Sequence, residues 1–136
     1  MITELAEFFS SELRAVVVNV DYRLAPEYPF PCALEDCYET IRWAFNHAAE
    51  YRIDTNRIGL WGCSAGGNLA AGVALRDAAE HPVSRLRHVN LVVPVTCHPD
   101  LYPEVLQAAG SSYRAPWLPS LYPDALRAVW GEYFHR

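Results

Sequence analysis

Ser64 is the residue whose setting points most directly to chemistry. It lies in Ile58-Gly59-Leu60-Trp61-Gly62-Cys63-Ser64-Ala65-Gly66-Gly67, an apolar strand-like run that passes into G-x-S-x-G and then into a helical pattern. A serine hydroxyl attacks a carbonyl only when the backbone presents it clear of its neighbours, and a sharp strand-to-helix turn, the nucleophile elbow, does so. The pattern predicts that Gly62, Gly66 and Gly67 leave room for that turn and that Ser64 takes strained backbone torsions. A helix starting just after Ser64 would aim its free N–H groups, that of Ala65 first, at a developing negative charge, as half of an oxyanion hole. The same glycines could serve close packing alone, or line a phosphate loop. A phosphate loop calls for a Lys or a G-x-G-x-x-G spacing, and the sequence has neither.

An activated serine needs a base and an acid. The chain order Ser, then Asp or Glu, then His is met by Ser64, Asp100 or Asp124, and His135. Asp100 falls in a Pro-rich stretch, and Asp124 and His135 flank a helical pattern, so no strand delivers them to the edge where Ser64 would sit. The expectation is that no Asp, Glu or His of this chain pairs with Ser64. The other histidines, His47, His81, His88 and His98, are scattered, and Cys97-His98 lacks the further ligands of a zinc site, so neither metal nor cofactor is expected. Cys32, Cys37, Cys63 and Cys97 have no C-x-x-C spacing and read as reduced thiols of a cytoplasmic protein.

The elements that must position Ser64 follow from periodicity. Ile2, Leu5, Phe8, Phe9 and Leu13 share one helical face, with Thr3 as cap and Glu4 and Glu7 favourable in the first turn. Ala15 to Val20 is apolar on both alternating faces, as a parallel strand covered on both sides requires. Three prolines from Pro26 to Pro31 exclude a regular element there. Leu34, Cys37, Ile41, Ala44, Phe45 and Ala48 then predict a helix to about Ala49. The turn signal Asp54-Thr55-Asn56 opens a strand, Arg57 to Trp61, that stops at Gly62. Leu69, Ala70, Val73 and Ala74 define a third helix ending before His81-Pro82, and Val89 to Val93 is a strand limited by Pro94. Five prolines from Pro99 to Pro123 precede a last helical pattern through Leu126, Val129, Trp130, Tyr133 and Phe134. The expected fold is α/β, with three parallel strands, about four helices on both faces and right-handed crossovers.

Composition limits the partners. The chain has 136 residues, 51% hydrophobic and 20% charged, which suits one globular domain, residues 1–136. Its net charge of -5, without runs of one sign, argues against nucleic acid and anionic membrane as partners. No apolar stretch reaches the roughly 18 residues of a membrane span, and the first ten residues lack a basic leader.

Asp21-Tyr22-Arg23-Leu24-Ala25-Pro26-Glu27, Pro29-Phe30-Pro31 and, some thirty residues on, Gly62-Cys63-Ser64-Ala65-Gly66-Gly67 together resemble the hormone-sensitive-lipase-like branch of the α/β-hydrolase fold. The likeness runs from the first helix through Val95, and Trp130-x-x-Tyr133 resembles the helix before that fold's seventh strand. Cys63 departs from the Asp or Thr usual there. The resemblance implies a serine esterase or lipase with a small-molecule ester as substrate. It makes Ala15 to Val20, Arg57 to Trp61 and Val89 to Val93 the fourth, fifth and sixth strands, and implies a loop tie by Arg23 and Glu27 beneath the elbow. It places an H-G-G-G segment and the third strand before Met1, and the acid and histidine beyond Arg136, so the chain reads as an incomplete α/β-hydrolase domain. That third strand would lie between the fourth and fifth, leaving Ala15 to Val20 and Arg57 to Trp61 unable to pair. Two other readings remain open: a receptor-like homologue that binds a small ligand without hydrolysis, and a truncated gene product.

Overall fold

The computed structural model describes residues 2–98, 101, 103, 104 and 131–134. Helix α1 spans Ile2–Leu13, α2 Cys32–Asn46, α3 Ala48–Tyr51 and α4 Ala65–Glu80, with strand β1 at Gly59–Cys63 and β2 at His88–Val92. Helix α1 already includes Ile2, so Thr3 lies inside the first turn instead of capping it. Residues 131–134 are helical, as the last helical pattern requires, and the rest of that pattern lies outside the described residues.

The two strands pair in parallel, Gly59 opposite His88 through Cys63 opposite Val92. Parallel strands need a crossover, and α4 supplies it. An Asp54 side chain accepting the Asn56 N–H at 2.9 Å forms the turn that feeds β1. The strand runs two residues further than the sequence suggests: Gly62 and Cys63 belong to the ladder, and the Ser64 N–H continues it to the Val92 carbonyl at 2.9 Å. The ladder persists because β2 continues as far as Val92 alongside it. Helix α4 ends at Glu80 because Pro82 drives His81 into extended backbone, φ -128° and ψ 122°.

Ala15 to Val20 forms no ladder among the described residues, against the expectation of a third strand. Val16, Val17 and Val18 are exposed, Val16 at 54%. A β-branched run has the right side chains for a strand, but a strand exists only through hydrogen bonds to a neighbour. Among the described residues β1 pairs with β2 alone, which agrees with the resemblance's placing of another strand between β1 and Ala15 to Val20.

The core lies between α2, α4 and the sheet. Tyr38, Ile41, Val73 and Leu86 form its buried centre, with Leu34, Cys37, Phe45, Ile58, Leu60 and Ala74 packed around them. Leu34, Cys37, Tyr38, Ile41 and Phe45 share one face of α2, three to four apart as amphipathic packing demands, Val73 and Ala74 come from α4, and Ile58, Leu60 and Leu86 come from β1 and the segments entering the two strands. The helix predicted to reach Ala49 breaks at His47, whose N–H and Nδ1 both bond to the Trp43 carbonyl at 2.9 Å while its ring stacks on Trp43. Beneath α4, buried Asp77 accepts from Arg85 Nε at 3.0 Å and also from Nη2, and the Arg85 guanidinium lies over the Phe45 ring. This pair ties the helix to the segment entering β2. On α2, Arg23 grips Asp36 through Nε at 2.9 Å, Nη2 at 2.7 Å and its backbone N–H at 3.0 Å. The loop tie expected of Arg23 is therefore made to Asp36, because α2 presents that carboxylate to the loop. At the other end of the loop, the Phe30 N–H donates to the Tyr133 carbonyl at 2.7 Å and the two rings pack, so 131–134 docks on the Pro-rich turn.

Candidate active site

Ser64 stands between the last residue of β1 and the first of α4, with φ 55° and ψ -118°. Few L residues tolerate such torsions, and a non-glycine residue is held there only by its surroundings. Here the holds are visible. The Ser64 N–H is fixed on Val92 at 2.9 Å, and its carbonyl accepts from the N–H groups of Asn68 at 3.1 Å and Val95 at 3.4 Å.

A serine preceding a helix usually turns its hydroxyl back to cap the first N–H groups from β-region backbone. Ser64 does not, and its side chain makes no cap bond. The residue is exposed, and among the described residues no hydrogen bond engages its hydroxyl. The strained torsions thus aim the hydroxyl outward. Ala65, the first residue of α4, is also exposed, and its N–H lies outside the helix's own ladder, available to an oxyanion next to Ser64.

The glycines divide. A Cβ on Gly62 would lie 2.2 Å from the Gly66 carbonyl oxygen and 2.9 Å from the Gly67 nitrogen, so β1 and the first turn of α4 meet at a distance only glycine permits. A Cβ on Gly67 would come within 3.1 Å of Pro94, which lets the exit of β2 close on the helix. Gly66 differs from the expectation: a Cβ there meets nothing within 4 Å, because it points away from both strands. Its carbonyl, not its lack of a side chain, is what shapes the turn.

No histidine or carboxylate among the described residues is hydrogen-bonded to Ser64. Asp100, Asp124 and His135 lie outside the described residues. His81 and His47 are occupied with backbone carbonyls at the ends of their helices. Of the thiols, Cys63 is exposed beside Ser64, while burial pushes Cys37 up to about 11. Among the described residues no group of three or more His, Cys, Asp or Glu is arranged to hold a metal ion, and no helix is long and apolar enough to cross a membrane. Asn68, Val95 and Asp36 carry contacts that sequence reasoning missed. The one available signal was a polar Asn68 between Gly67 and Leu69, which are buried on α4.

A strand, a serine in left-handed backbone and a helix packed through glycine define the serine-bearing turn of an α/β domain. Comparison with known proteins identifies the domain. A family model described as alpha/beta hydrolase fold matches residues 2–135, and the chain belongs to that family. It is 36% identical over 110 residues to an arylesterase of Saccharolobus solfataricus, covering 81% of this chain and 34% of the relative. It is 51% identical over 71 residues to the hormone-sensitive lipase of Homo sapiens, covering 52% of this chain and 7% of the relative. Among solved structures, the thermostable carboxylesterase EstE1 superposes with a TM-score of 0.79 at 35% identity, over 94% of this chain and 42% of that one. The chain therefore spans about a third of the arylesterase's length.

Proposed function

We propose that the chain carries the nucleophile of a serine carboxylic ester hydrolase acting on small-molecule esters. The observation behind this reading is Ser64 itself: exposed, at φ 55°, leaving the capping bond unmade between β1 and α4. The relatives named arylesterase and hormone-sensitive lipase support the ester as the substrate class. In the reaction the Ser64 oxygen adds to the ester carbonyl as a base takes its proton. The carbonyl oxygen becomes an oxyanion that the Ala65 N–H stabilises. Collapse of the tetrahedral species expels the alcohol with that proton and leaves an acyl-serine, which water then hydrolyses. Gly62 and Gly67 hold the turn, and residues outside those described supply the base, the acid and the remaining oxyanion donors. The function is thus assigned to the family member as a whole. A cytoplasmic setting fits its four free cysteines.

The test has two arms. The 136-residue chain should turn over p-nitrophenyl acetate negligibly, and Ser64→Ala should change that rate little. Substituted for the matching third of the arylesterase, the chain should restore hydrolysis, and Ser64→Ala in this chimera should remove it by a factor on the order of 10⁶. A folded chimera with activity indifferent to Ser64→Ala would sink the assignment.

A further inference from the structure

Resting on the reading of Ser64 as the nucleophile, we propose that Asn68 is its positioning residue, acting through Val95 at the exit of β2. The Asn68 side-chain amide donates to the Val95 carbonyl at 2.6 Å, and the N–H of the same Val95 donates to the Ser64 carbonyl at 3.4 Å. The Asn68 backbone N–H reaches that same Ser64 carbonyl at 3.1 Å, so Ser64, Asn68 and Val95 close a ring of three hydrogen bonds. A carbonyl partner fixes the Asn68 orientation, because only the NH₂ group can donate to it.

The backbone bond from Asn68 to Ser64 is the ordinary first bond of a helix. The side-chain bond is not: in an early helical turn an Asn is a poor helix former that competes for backbone groups. Here its amide spans from α4 to the segment beyond β2. That segment is itself strained. Val93 sits at φ 41°, a left-handed conformation that β-branched residues avoid, and is 73% exposed, so no packing of its own side chain holds it. What holds the segment is Pro94 against Gly67, where an added Cβ would lie at 3.1 Å, and Val95 between Ser64 and Asn68. Two strained residues, Ser64 and Val93, therefore flank one clamp. Without the Asn68 amide, Val93 is free to relax, the Val95 N–H leaves the Ser64 carbonyl, and the Ser64 carbonyl keeps only its helical bond.

The test is residue-resolved amide exchange on the full chain by NMR. Asn68→Ala should speed exchange at the Val95 amide by about tenfold, the loss of one hydrogen bond, while Val73 in the middle of α4 keeps its protection. Asn68→Asp should behave the same way at neutral pH, where a carboxylate faces a carbonyl with nothing to donate. Below about pH 3, where the acid carries its proton, it should regain protection relative to wild type at the same pH. Unchanged exchange at Val95 in Asn68→Ala overturns the proposal. If that variant loses protection everywhere, Asn68→Asp decides, and equal Val95 protection ratios at the two pH values overturn it. In an active chimera, Asn68→Ala should lower kcat with KM kept, and an unchanged kcat also overturns it. A folded, active chimera indifferent to Ser64→Ala, in a chain whose Asn68→Ala variant still frees Val95, refutes Ser64 as nucleophile while leaving the clamp intact.

Discussion

Gly62 and Gly66 belong to the same short motif, yet the structure assigns opposite signs to their replacement by alanine. A Cβ on Gly62 would sit 2.2 Å from the Gly66 oxygen and 2.6 Å from the Gly66 carbonyl carbon, about 1.2 Å inside the 3.4 Å at which ordinary contact begins. Both partners are backbone, one in β1 and one in the first turn of α4, so no side chain can swing aside. Relief requires drawing α4 off the sheet or bending bond angles. Overpacking in a tight site costs about 1–3 kcal/mol, and a clash this deep belongs at or above the upper end, about 3 kcal/mol. Domains have about 5–15 kcal/mol in all, and with seven buried apolar residues among those described this chain belongs near the bottom of that range. Gly62→Ala should therefore lower the urea midpoint to about 40% of its wild-type value, since stability falls linearly with denaturant. Gly66→Ala puts a methyl into open space in a helix, where φ is not positive, and should raise stability by about 0.5 kcal/mol. The assay is equilibrium urea unfolding followed by tryptophan fluorescence, with Trp61 adjacent to the first site. A Gly62→Ala midpoint within error of wild type, or equal losses for both variants, would refute the close approach on which the turn depends.

Asp77 is 1% exposed and holds Arg85, so Asp77→Ala should cost about 3 kcal/mol by stranding a guanidinium, measured in the same unfolding assay. Alkylation with iodoacetamide near pH 8 should reach Cys63 well before Cys37, because Cys63 is exposed while Cys37 is pushed up to about 11 by burial; mass spectrometry of partial digests gives the order. The Arg23 side-chain bond holds Asp36 below the usual carboxylate range, and the Arg76 bond does so for Glu80. Their folded-state values are depressed, so the stability they contribute is complete above the unfolded values of 3.8 and 4.5 and drains away as pH falls through the folded ones. The urea midpoint should decline on acidification from pH 5, and Asp36→Asn should make that decline shallower.

Much of this was legible in the residues because the signals were local. The periodic faces of α2 and α4 mark the core, Pro82 ends α4, and glycines around a serine after an apolar run mark the turn at Ser64. Each depends on backbone conformation or on side chains a few residues apart, which the order of residues alone determines. The sequence also carries the family resemblance, which the match over residues 2–135 establishes. What needed the tertiary structure was pairing. Ala15 to Val20 has the composition of a strand and is none among the described residues, because a ladder requires a neighbour that composition does not name. Arg23 ties its loop to Asp36, a partner that depended on which carboxylate α2 turns toward the loop. Gly62 is required and Gly66 tolerant for the same reason: which glycine faces a backbone is set by how α4 lies on β1, a relation in space. The grip of Asn68 on Val95, 27 positions apart, likewise exists only once β2 has been laid beside β1 and its exit folded back over the helix.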